Sequence, residues 1–176
     1  MVAGRLLTEA AERVSGGYRE QEWYDLAALA ERAAAPLASA AAPATRMRAA
    51  LLLAAVDREE RAEQLFVAPL QGQERQWVKA AVEGWAAHSR ARQEWARAQE
   101  QAALGTPAGE AEAERLLKAS QEAAARARRL LAPTFDDPGL RRQLTSGPEA
   151  WSPDEIEQIR SVAQTEPGQV GAASGT

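Results

Sequence analysis

Alanine occupies 42 of the 176 positions and recurs at the three- and four-residue steps of a helix rather than in tracts. A chain whose apolar surface is mostly methyl groups folds by bringing helices close together along thin, Ala-lined interfaces. Most other positions hold Leu, Glu, Arg or Gln, which with Ala are the strongest helix formers. Leu, Ile, Val and Phe together make up less than a fifth of the chain. So low an aliphatic content signals disorder only when net charge is also large, and here it is −4. The five Trp residues supply the bulk that Ala lacks. The expectation is an all-α protein, a bundle of four or five helices.

The helical stripes divide the chain. Leu6, Leu7, Ala10, Ala11 and Val14 predict a short first helix, stopped by Gly16-Gly17. Trp23, Leu26, Ala30, Ala33 and Leu37 form one stripe on a second helix that starts near Tyr18 and that Pro36 ends or bends. Met47, Leu51, Ala54 and Ala55, then Ala62, Leu65 and Phe66, predict a third helix from about Thr45. Its charged run Asp57-Arg58-Glu59-Glu60 reads as a kink, or as a break with Asp57 capping a new helix. Pro69 and Gly72 close it. From Gln73 to Leu104 there is no proline, which predicts the longest helix. Gly105-Thr106-Pro107 then suits a C-terminal cap, an N-cap and a first helical position in turn. The next helix, over about 107–131, carries Ala113, Leu116, Ser120, Ala123, Ala127 and Leu130. So short a turn makes 73–131 a long antiparallel helical hairpin.

After Pro133 the character changes. Asp137-Pro138 starts a short helix through Leu144, and Thr145-Ser146-Gly147-Pro148 is a turn. In Trp151-Ser152-Pro153-Asp154-Glu155-Ile156, Ser152 and Glu155 form a capping box, and Trp151 and Ile156 stand at the positions of a hydrophobic staple. Ile156, Ile159 and Val162 give this helix its apolar face, too small to hold it alone in water. It must dock, on its own bundle or on a partner. The expected organisation is a helical bundle over 1–131, a short C-terminal helical appendage over 132–165 and a flexible tail over 166–176. No internal repeat is present.

Composition removes most catalytic chemistry. Cysteine is absent, which excludes disulfides, thiolate catalysis and Cys-based metal sites. The single histidine, His88, lacks the Glu-x-x-His spacing of di-iron bundles and sits mid-helix, where no loop presents a nucleophile. No segment has the features of a secretory signal or the length of a membrane span. Nineteen Arg against two Lys, with abundant Ala and Gly, fit a bacterium with a GC-rich genome, and cytoplasm is the default compartment. Tyr18 and Glu22 match a Tyr-x-x-x-Glu pattern that resembles the secretion signal of mycobacterial-type small helical substrates. The Trp-x-Gly turn of that family is missing here.

What remains points to contacts. Trp77, Trp85 and Trp95 fall within about 80° of one another on the longest helix, with His88 and Arg92 among them. The stripe is either bundle core or a binding surface, since Trp is enriched where interfaces concentrate their energy. Trp151, Ile156 and Ile159 are a second candidate partner surface. Arg126, Arg128, Arg129, Arg141 and Arg142 are the densest basic cluster. It reads as compensation of a helix C-terminus ending near Leu131, or as a nucleic-acid contact. The sequence therefore predicts a non-enzymatic adaptor or scaffold acting through protein contacts, including self-association, without a cofactor or metal. The alternative is a helical subunit of a nucleic-acid-binding complex.

Overall fold

The computed structural model describes residues 20–164, which form seven α-helices and no strand. The expected first helix, Tyr18 and the tail over 166–176 lie outside the described residues.

Helix α1 (Glu20–Ala34) lays Ala27, Ala30 and Ala34 against the core, with Trp23 and Leu26 packed beside them. Ala33, expected on this stripe, faces outward. Pro36 tightens the chain into a 3-10 turn, Ala35–Ser39, instead of stopping it. Helix α2 (Pro43–Ala55) is the central element: every residue from Ala49 to Ala55 is buried. A helix apolar all round is one surrounded by others.

The charged run after α2 is a break, not a kink. Asp57 takes a left-handed φ of +61°, and the Arg58 N–H reaches back to the Leu53 carbonyl at 2.9 Å. That bond closes a helix C-terminus, with Asp57 where Gly is usual; Asp tolerates this backbone better than most residues. Asp57 therefore ends one helix and does not cap the next, whose N-cap is Arg58. Helix α3 (Glu59–Ala62) widens into a π turn, Glu63–Val67, that puts both Phe66 and Val67 into the core.

Helices α4 (Gly72–Ala103) and α5 (Pro107–Asp136) form the long hairpin. Gly105 has a φ of +65°, and the Thr106 hydroxyl accepts from the Gly109 N–H at 3.0 Å, so the turn is built as its residues predict. The Ser120 hydroxyl donates to the Ala91 carbonyl across the pair at 2.7 Å. A Cβ on Gly84 would lie 2.7 Å from Leu131 Cγ, which shows how closely the helices approach.

Helix α5 does not end near Leu131. It runs through Pro133 to Asp136. The missing proline N–H costs a helix bond, about 3 kcal/mol. Burial of Phe135 and Leu131, both 0% exposed on the inner side, offsets a loss of that size. Asp137 then caps helix α6 (Pro138–Leu144), accepting from the Gly139 and Leu140 N–H groups. Helix α7 (Pro153–Gln164) begins with the expected capping box: Glu155 N–H donates to Ser152 Oγ at 3.2 Å, and Ser152 N–H to Glu155 Oε1 at 3.3 Å.

One large core joins α1 through α7 and includes Trp151 and Ile156. A second, small cluster belongs to the far part of the hairpin alone: Ala98, Ala113 and Leu116, with Leu117 beside them.

Candidate functional site

Five side chains singled out in the sequence share one side of α4, but their surroundings differ. Trp77 is wedged against α6, where a Cβ on Gly139 would come within 2.8 Å of its ring carbons. Trp77 and Trp85 are half-buried and pack on the main core. His88 is only 6% exposed, and its ring lies 5.2 Å from that of Trp85, centre to centre. Trp95, two turns further along, is partly exposed and packs against neither core cluster. The stripe is thus divided: its first half is core and its last Trp is not.

The electrostatics of this face are unusual. Burial, helped by the Arg92 charge, lowers the His88 pKa to about 4, so the ring is neutral at pH 7. Burial also pushes the Arg92 guanidinium below its usual range, and among the described residues no carboxylate pairs with it. The Trp77 Nε1, Trp85 Nε1 and His88 Nε2 atoms are buried with no hydrogen-bond partner among the described residues. Native interiors leave few such groups, and each asks for an explanation. The stacking of Arg92 on Trp rings that the spacing allows does not form. The cation–π contact lies elsewhere, with the Arg48 guanidinium 5.4 Å from the Trp151 ring centre.

The basic cluster is spread over α5 and α6. Arg126 pairs with Glu83 of α4 at 3.6 Å. Arg141 pairs with Asp136 at 3.4 Å and donates to the Phe135 carbonyl at 2.6 Å. Arg128 is half-buried, while Arg129 and Arg142 are exposed. Because α5 runs to Asp136, Arg126, Arg128 and Arg129 stand more than a turn before its end rather than at it. The dipole at the helix C-terminus, which fades within a turn, does not account for them.

The C-terminal candidates sit inside the molecule. Trp151 is 4% and Ile156 3% exposed, and Ile159 packs beside them. The Trp151 indole donates to the Ala44 carbonyl at 3.0 Å and stacks on Phe135, ring centres 6.0 Å apart. Arg48 of α2 holds the segment from outside: it pairs with Glu155 at 2.9 Å and donates to the Glu149 carbonyl. Arg48 was not legible as a clasp, since only its partner's position gives it that role. Thr45 donates to the Glu149 carboxylate at 2.6 Å beside it.

A third charged group joins α3, α4 and α5. Glu59 pairs with Arg90 at 3.3 Å and is held above the usual carboxylate range, by burial first and by Glu83 against it. Among the described residues, no three His, Asp or Glu side chains gather as metal ligands. Nor is any described helix long and apolar enough to cross a membrane. Compared with protein families, curated proteins and solved structures, the chain matches none.

Proposed function

We propose that this protein is a non-enzymatic adaptor or scaffold of the bacterial cytoplasm. It engages another protein, or a second copy of itself, through the end of the α4 stripe that carries Arg92 and Trp95. In this reading a bundle of four or five helices is the body and the hairpin presents the contact surface. The observation that carries the reading is Trp95, a partly exposed aromatic that joins neither core cluster, on a helix whose other Trp residues pack on the main core. Arg92, one turn before it, has no counter-ion among the described residues, and Trp and Arg are the residues that most often anchor interfaces.

Affinity capture with the full chain from its host, followed by mass spectrometry and sedimentation, tests the reading. Trp95→Ala is expected to leave the melting temperature nearly unchanged and to abolish a stoichiometric complex or self-association. A complex that survives Trp95→Ala sinks the assignment of this face. Recovery of nucleic acid, lost on Arg129→Glu with Arg142→Glu, would instead favour a subunit of a nucleic-acid complex using Arg126 to Arg142.

A further inference from the structure

We infer that two copies of the chain dock tip to base, the hairpin tip of one seated in a groove at the base of the other. The inference deepens the docking reading by naming its partner, and rests on it for a contact made by the far end of the hairpin.

The tip is a knob without charge. Residues 102–108 are all exposed, and no residue from Gln101 to Gly109 carries a charge, in a chain that is 26% charged. Leu104, at the turn, is 61% exposed, the most exposed large hydrophobic among the described residues. Local bonds shape the knob: the Gly105 N–H donates to the Ala102 carbonyl at 3.2 Å, and the Gly109 N–H to the Thr106 hydroxyl at 3.0 Å. An apolar surface of this kind marks a contact site when polar residues rim it. The first charged residue on either side is a glutamate, Glu100 or Glu110, both exposed and without an ion pair among the described residues. Glu110, in the first turn of α5, suits the dipole of that helix. Glu100 is in the last turn of α4, where the dipole opposes a carboxylate and no basic residue offsets it. Helix stability therefore does not account for Glu100.

The complement lies at the other end of the molecule. An open, mostly apolar groove of about 520 Å³ is lined by Ala41, Ala42, Pro43 and Pro148, with Arg142 among them. It belongs to the base of the hairpin. Arg46 ties the start of α2 to Glu74 in the first turn of α4 at 3.0 Å, and Trp77 packs on Gly139 of α6. Helix α4 alone is about 48 Å long, so the tip does not reach the groove of its own chain. Of the charged groups around the groove, Arg46 is engaged with Glu74, and the Glu149 carboxylate accepts from the Thr45 hydroxyl at 2.6 Å. Arg142 is exposed and has no counter-ion among the described residues. An apolar knob between two unpaired glutamates thus matches an apolar groove that carries an unpaired arginine. The contact joins different patches of the two copies, so it either repeats reciprocally within a pair or extends into a chain.

Sedimentation of the purified full chain over rising concentration tests the contact. The wild type is expected to associate. Leu104→Glu and Arg142→Glu alter exposed residues, so each should keep the melting temperature and lose association. Mixed together, the two variants should form a one-to-one pair, since the first brings an intact groove and the second an intact tip. A wild type that stays monomeric, association kept in Leu104→Glu, or a mixture that forms no pair would overturn the inference. Capture of a different protein by a monomeric wild type, lost in Leu104→Glu, would likewise remove the second copy as occupant. If Trp95→Ala abolishes association while Leu104→Glu does not, the tip contact falls and docking stands. If Leu104→Glu abolishes it while Trp95→Ala does not, and the mixture pairs, the tip contact stands and the Trp95 assignment falls.

Discussion

At pH 7 the His88 ring is neutral in both folded and unfolded chains, so its titration costs nothing there. Its folded pKa lies at about 4, below the ordinary 6.5, because burial and then Arg92 oppose the imidazolium. As pH falls below 6.5 the unfolded chain takes up a proton that the folded chain refuses. Stability is therefore full above pH 6.5, declines through the window down to about pH 4, and has lost this contribution below it. The whole loss is on the order of 3 kcal/mol. Urea unfolding of the wild type and His88→Gln at pH 7 and pH 4.5 measures it. The difference between the two pH values should shrink in the variant, and equal pH dependence would mean that His88 is not shielded as described. The sequence made His88 legible as a structural histidine, because nothing beside it could serve as a catalytic partner. It did not reveal that the Trp77 and Trp85 indole nitrogens on its helix are buried without a partner among the described residues, since burial of single atoms leaves no mark on a residue pattern.

Among the elements, the sequence was most readable where backbone chemistry is local. The Gly105-Thr106-Pro107 turn, the Asp137 cap and the Ser152–Glu155 box depend on residues within one turn of each other, and the structure forms all three. Reading failed where distant packing outweighs local preference. Pro133 signals a stop, but Phe135 needs two more residues of helix to reach the core. Asp57 signals an N-cap, but the end of α2 requires a left-handed residue there. Two substitutions probe elements that packing decides. Gly84→Ala puts a methyl group into Leu131, which is itself fully buried, so it should destabilise the chain by about 1–3 kcal/mol although Ala is the better helix former. Stabilisation by Gly84→Ala would show that the two helices are not in close contact there. Trp151→Ala removes a buried ring, its hydrogen bond to Ala44 and its stack on Phe135, and should cost about 3–5 kcal/mol. Truncation after Leu144 should likewise lower the denaturation midpoint. A truncated chain as stable as the whole would mean that the C-terminal segment does not dock on its own bundle.

On the scale of the whole molecule, the all-helical class follows from alanine spacing, but the distribution of stability does not. The main core gathers Met47, Leu51, Leu53, Phe135, Leu140 and Trp151 from four stretches of chain that no single stripe connects. Among the described residues, the far hairpin gathers only Ala98, Ala113 and Leu116, with Leu117 half-buried beside them. Leu117, half-buried at the rim, is therefore a smaller contributor than Leu116. Leu116→Ala should cost about 2–3 kcal/mol, near the low end for buried leucine because an exposed rim can relax. Local opening follows local packing, and few apolar contacts hold this end. Backbone amides of residues 95–103 and 111–120 are then expected to exchange faster than those from 78 to 90, although all three stretches are helical and hydrogen-bonded. Leu116→Ala should accelerate exchange in the far stretches and leave the near stretch unchanged. Uniform protection along α4, or uniform acceleration by Leu116→Ala, would show that the hairpin opens only with the whole fold. In that case Trp95 would be presented on a surface as rigid as the core itself.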